Sequence, residues 1–235
     1  YAWSVWTAFS LLMMWAFPVF IAPLFNKFSA LEDESLKTRI DNLLQRCGFK
    51  SKGVFVVDGS KRSAHGNAYF TGFGSNKRIV FYDTLLESLS ENEVEAVLAH
   101  ELGHFKRNHI KKSLALSILM TLGGFALLAW LMNSAWFYSA MGVETASTHT
   151  ALLLFMFVLP VFTYFISPLF SAMSRKHEFE ADDFAKQQSD YRALVSALVN
   201  MYRENASTLT PDPIHSMFYD SHPPASIRIS HLESN

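Results

Sequence analysis

The sequence predicts a mainly α-helical, multi-pass membrane fold that carries a small α+β domain with a short three-stranded sheet. Three long stretches contain no charged residue. Each exceeds the roughly 20 apolar residues an α-helix needs to cross the hydrocarbon core. Between the first two, the pattern changes to helical spacing followed by short β-branched runs bounded by Gly and Asn, which marks an α+β unit. Composition agrees: 50% of the 235 residues are hydrophobic, 17% are charged and 21 are Phe. That balance is too apolar for an ordinary soluble domain.

The first stretch, residues 1–26, ends at Lys27. The second, 113–143, lies between Lys112 and Glu144, and the third, 145–174, is closed by Arg175. Pro18, Pro23, Pro160 and Pro168 fall within them. Proline is tolerated in membrane helices where neighbouring groups satisfy the freed carbonyls. The chain is apolar from Tyr1, with no basic region before the run and no small-residue cleavage site after it. It therefore reads as part of a longer protein rather than as a chain with a signal peptide.

Charge orients the spans. The loop at 136–150 has no Lys or Arg, whereas Lys106, Arg107, Lys111, Lys112, Arg175 and Lys176 flank the other ends. The positive-inside rule then places 27–112 and 175–235 on the cytoplasmic side, with Trp130 and Trp136 as interface anchors.

Within 27–112, Leu and Ile recur at helical spacing over 31–47. Strands are expected at 54–58, 67–71 and 78–82, the last two separated by a turn at Gly72, Gly74 and Asn76. Ser90 followed by Glu93 is a capping box that opens a helix holding Val94, Val97 and Leu98. Past Arg175 the pattern gives a helix through Phe184 and Ala185, a second over 191–203, a loop at 208–213 and a final helix at 227–232.

The formal net charge of −1 gives no electrostatic ground for nucleic-acid binding. A single cysteine, Cys47, excludes an internal disulfide and a cysteine-based zinc site.

The predicted helix after Ser90 carries HELGH at 100–104. At 3.6 residues per turn, His100 and His104 share one face and can bind one zinc ion from the same side. Glu101 lies beside them, placed to take a proton from the attacking water. Gly103 costs about 1 kcal/mol relative to Ala in a helix interior, so its presence points to close approach of another backbone or of substrate.

A catalytic zinc site needs a third protein ligand and one open position. Arg107 and Ile110 stand where a metzincin would need Gly and His, so a glutamate from a later helix is the alternative. Glu178 is the best candidate. Asp182 follows one turn later on the same face, placed to accept the free N–H of a zinc-bound histidine. Glu180 and Asp183 point elsewhere. Three ligands leave an open position, which argues against a purely structural zinc site in a membrane scaffold or channel.

These motifs, with IAPLF (21–25), DGSKRS (58–63), NAYF (67–70), KRIV (77–80), DTLL (83–86), SRKHEF (174–179), Ala181-Asp182 and SHPP (221–224), resemble the C-terminal part of the integral-membrane zinc CAAX prenyl proteases. The resemblance covers essentially the whole chain. It implies a ring of membrane helices around a water-filled chamber, one zinc ion per chain held by His100, His104 and Glu178, and Glu101 as general base. It also implies that His222 and Arg228 face the reacting carbonyl and the substrate, and that Asn67 and Ala68 belong to an edge strand pairing with extended peptide. The implied activity is hydrolysis of a peptide bond near the C-terminus of a prenylated protein. The related alternative is a quality-control membrane protease of the HtpX type.

The expected organisation is a span at 1–26, a catalytic subdomain at 27–112, two spans joined by an outer loop at 113–174, and a C-terminal helical part at 175–235. The active site would face the cytoplasm, in the endoplasmic reticulum of a eukaryote or the inner membrane of a bacterium. Of the remaining histidines, His109 reads as a membrane-boundary residue, His149 as solvated and His177 as projecting from another face. His215 and His231 have no evident partner. Asn205-Ala-Ser207 matches a glycosylation sequon on the expected cytoplasmic side, where it would go unmodified.

Overall fold

The computed structural model describes residues 1–63, 65–71, 77–204, 208 and 211–234. The turn at Gly72, Gly74 and Asn76 and the sequon at 205–207 lie outside the described residues.

Among the described residues, three helices are long and apolar enough to cross a bilayer: Ala2–Phe25, His109–Met132 and Thr148–Gln188. The first consists of α1 (Ala2–Ala16), a π-helical turn over Phe17–Ile21, and α2 (Ala22–Phe25). Pro18 lies inside the wide turn; a residue with no N–H donor is accommodated where the i→i−4 ladder is already interrupted.

Between the spans lies a small sheet, formed by β1 (Phe28–Ala30), β2 (Val54–Val57), β3 (Ala68–Thr71) and β4 (Arg78–Tyr82). The order among the described residues is β1-β2-β4-β3. The β2–β4 pair is parallel, and the outer pairs are antiparallel. The sheet thus has a fourth strand beyond the three expected. β1 is three residues long, too short to display an alternation, and is held by its register with β2, Phe28 opposite Val57. β3 is an edge strand, and the N–H of Tyr82 extends its pairing back to the carbonyl of Asn67.

Around the sheet, α3 (Glu34–Cys47) starts on Asp33, whose carboxylate accepts the N–H groups of Ser35 and Leu36. It ends at Gly48 in the left-handed region, φ 63°. A short α4 (Asp83–Ser88) leads to α5 (Glu91–Lys106), and the capping box is present, with the N–H of Ser90 2.7 Å from Glu93 Oε2. The helix is interrupted at Asn108, φ 57°, and continues as α6 (His109–Met132).

The second apolar stretch does not stay helical to its end. Asn133 and Ser134 turn their side chains back onto the carbonyls of Ala129 and Trp130, which closes α6. A short α7 (Ala135–Ala140) follows. In contrast, α8 (Thr148–Gln188) continues straight through Arg175 for 41 residues, about 60 Å at ~1.5 Å per residue. Its apolar half turns Phe157, Phe165 and Leu169 outward, each at least 70% exposed. Its polar half packs into the α+β unit.

The chain closes with α9 (Tyr191–Glu204), α10 (Pro213–Tyr219) and α11 (Ala225–Ser234). α10 forms next to the expected loop because Asp212 caps the N–H groups of Ile214 and His215. The core unites α3, the sheet, α5, α8 and α9 through Leu43, Phe81, Leu98, Leu102, Ala185 and Leu194.

Candidate metal centre

The site forms where α5 meets the polar half of α8. Gly103 permits the approach: a Cβ there would come within 2.9 Å of Ala181 Cα. That is the close backbone contact its sequence position suggested. It brings the His100–His104 face of α5 opposite Glu178.

The three side chains converge. His100 Nε2 and His104 Nε2 are 3.1 Å apart. Glu178 places Oε2 3.5 Å from the first and Oε1 3.3 Å from the second. One donor atom from each residue lies within 4.8 Å of the others. Glu178 Oε2 is buried without a hydrogen-bond partner among the described residues, and a buried oxygen that accepts no hydrogen bond is costly. Two imidazole nitrogens and a carboxylate facing one another form a donor set suited to a divalent transition-metal ion.

His100 Nδ1 is 2.8 Å from Asp182 Oδ1. That hydrogen bond puts the ring proton on Nδ1 and turns the Nε2 lone pair to the centre. Burial disfavours the charged form of His100, but the adjacent Asp182 and Glu178 carboxylates outweigh it and raise its pKa. Acceptors that draw a proton here also draw a metal ion, which competes for the same nitrogen.

Asp182 is fully buried and clamped by Arg228, whose Nε and Nη2 donate to its two oxygens at 2.8 and 2.5 Å. Arg228 Nη1 also lies 3.4 Å from Glu178 Oε2. Burial opposes the charge of Arg228, but Asp182 and Glu178 hold it firmly protonated. One cation thus compensates two buried carboxylates.

The centre opens into a cavity of about 870 Å³ whose walls include Asn67, Ala68, Glu101, His104, His222 and Arg228. Asp182 stands behind it, in contact with His100. His222 sits on the rim, its Nε2 3.4 Å from Glu178 Oε1 and its side chain 65% exposed. Arg175 steadies the segment before it by donating to the carbonyls of Ser216 and Asp220. The cavity also has an apolar side, with Met14 from α1 and Ile110 and Leu114 from α6.

Several histidines differ from their sequence-based readings. His109 is only 3% exposed, contacts His104, and stacks on His177. Its partner on the far side is Glu180, 2.9 Å away. His231 pairs with Asp183 at 2.7 Å. No sequence pattern announced these contacts, because they depend on the helix break at Asn108 and on the packing of α11 against α8.

The profile of peptidase family M48 matches residues 30–235. The chain is 42% identical to "CAAX prenyl protease 1 homolog" of Oryza sativa subsp. japonica, across 99% of this chain and 55% of that protein. It is 40% identical to "CAAX prenyl protease 1" of Saccharomyces cerevisiae, across 95% and 53%. With the Homo sapiens homolog identity is 34%, across 100% and 58%. The crystal structure of S. mikatae Ste24p superimposes with a TM-score of 0.90 at 38% identity, covering 99% of this chain and 58% of that one. The chain spans a little over half the length of these relatives.

Proposed function

The chain belongs to peptidase family M48, and on that premise we propose that it acts as a zinc-dependent membrane endopeptidase. Its proposed substrates are CAAX-type proteins, cut near the C-terminus beside a prenylated cysteine. The observation that carries this reading is the convergence of His100, His104 and Glu178 around an unsatisfied buried oxygen, beside Glu101 in the same cavity.

In this reading His100, His104 and Glu178 hold one zinc ion per chain. When bound, zinc supplies Lewis-acid polarisation and lowers the pKa of water. Glu101 takes the proton as water attacks the scissile carbonyl and delivers it to the leaving amine. His222, on the rim, donates a hydrogen bond to the developing oxyanion. β3 offers its outer edge at Ala68 to extended peptide, which is held by strand addition, with the Asn67 side chain beside it on the Ala68 N–H. The apolar wall from α1 and α6 gives a hydrocarbon chain a place beside the site.

The proposed setting is a bilayer crossed by the three apolar helices, with the centre facing the cytoplasm and further membrane helices completing the chamber. The names carried by the relatives favour the CAAX reading over a quality-control protease. The test is product identification by mass spectrometry, using the protein in lipid vesicles and a farnesylated C-terminal peptide. Release of the residues after the modified cysteine, abolished by a chelator and restored by zinc, is expected. Cleavage of unfolded membrane proteins but not of this peptide would overturn the substrate assignment.

A further inference from the structure

We propose that His109 and Glu180 form a positioning relay for His104, the counterpart of the Asp182 contact to His100. The inference rests on the metal-site reading above. His104 turns Nε2 toward His100 and Glu178. A ring that ligates through Nε2 carries its proton on Nδ1, and that N–H needs an acceptor. The atom facing it is His109 Nδ1, 3.1 Å away.

One arrangement satisfies every group. His104 donates from Nδ1 to His109 Nδ1. His109 then carries its own proton on Nε2 and donates it to Glu180 Oε2 at 2.9 Å. Each ring holds one proton, and the chain ends on a carboxylate that accepts only.

His109 is built to stay in place. It is 3% exposed and lies against His177, ring centroids 4.1 Å apart and planes 11° from parallel. The left-handed residue Asn108 separates α5 from α6 and sets His109, the first residue of α6, against His104.

The intermediate ring has a geometric reason. Glu180 follows Glu178 by two residues on α8, roughly 200° around the helix. It cannot reach His104 from there, so an imidazole from α6 spans the gap. Asp182, four residues after Glu178, needs no such bridge to His100. The two carboxylates on α8 thereby fix both histidines of α5, one directly and one through His109.

The test measures zinc affinity by chelator competition and the absorption spectrum of the cobalt-substituted protein. His109→Leu removes the acceptor and should weaken zinc binding about 10- to 100-fold and shift the cobalt bands. His109→Asn keeps an oxygen near the Nδ1 position and should recover most of that loss. Glu180→Ala changes a more exposed residue, tolerates folding, and should weaken binding in the same direction.

Equal affinity and an unchanged cobalt spectrum in His109→Leu or in Glu180→Ala would overturn the relay. Equal impairment of His109→Leu and His109→Asn would assign His109 to packing alone and overturn it as well. Wild-type protein that binds no zinc would instead overturn the function proposed above, so the two failures are distinguishable.

Discussion

Gly103 on α5 lies directly against Ala181 on α8, so close that a single added carbon would collide with the Ala181 backbone. This contact sets the distance between the helix bearing His100 and His104 and the helix bearing Glu178. Helix propensity alone favours Ala over Gly by about 1 kcal/mol. Gly103→Ala should nevertheless destabilise the protein, because overpacking a tight contact costs about 1–3 kcal/mol. Thermal melting and zinc titration of this variant should both show losses. A variant more stable than wild type would show that the helices separate freely.

Glu178 supplies the third donor and the orphaned oxygen. Glu178→Ala should bind zinc far more weakly, because two histidines alone do not complete a tetrahedral site. Metal analysis after dialysis checks this directly. Stoichiometric zinc in the variant would remove Glu178 from the ligand set.

Glu101 lines the same cavity without belonging to the donor cluster. Glu101→Gln is isosteric and cannot take a proton. It should keep its zinc and lose turnover by at least the 100- to 10,000-fold typical of a missing general base. Retained turnover would point to another base, with His222 the nearest alternative on the rim.

The parts of this site legible in the sequence are those carried by one helix. HELGH declares itself through i,i+4 geometry, and Glu178 with Asp182 repeats the same one-turn logic on a second helix. The capping box at Ser90 and Glu93 and the close approach at Gly103 are equally local. What stayed hidden depends on a break between helices and on long-range register. β1 exists because β2 pairs with it. His109 reaches His104 because Asn108 interrupts the helix between them. Arg228 meets Asp182 across 46 residues, a contact that no periodicity encodes. The third apolar stretch and the helix expected past Arg175 are each legible, but not that they form one unbroken helix, Thr148–Gln188.

Glu93 ties the start of α5 to α9. It accepts from the N–H of Ser90, from Ser196 at 2.6 Å and from Asn200 at 2.8 Å. Burial raises its pKa, but these hydrogen bonds outweigh it and lower the folded-state value below that of an ordinary carboxylate. A depressed pKa adds stability above the unfolded value, ~4.3, and that stability disappears as pH falls through the folded value. Glu93→Gln should therefore be less stable than wild type at pH 7, and the gap should narrow below about pH 4. Denaturant unfolding at both pH values measures it. A gap that does not depend on pH would show that the charge contributes nothing.

His222 and Arg228 lie six residues apart and should fail in different ways. The His222 side chain is 65% exposed on the rim, whereas that of Arg228 is 8% exposed between two carboxylates. Removing one oxyanion donor typically lowers turnover 100- to 1,000-fold. His222→Ala should show about that loss in kcat, with zinc content and melting temperature unchanged. Arg228→Met instead strands Asp182 and Glu178 as buried charges, and breaking such a pair costs about 3–5 kcal/mol. Zinc carries positive charge into the same place and binds the folded state, so it should restore part of that stability. The defect of Arg228→Met should thus be larger in chelator than in zinc. An equal defect in both would mean that Arg228 stabilises the fold by packing rather than by compensating the carboxylates.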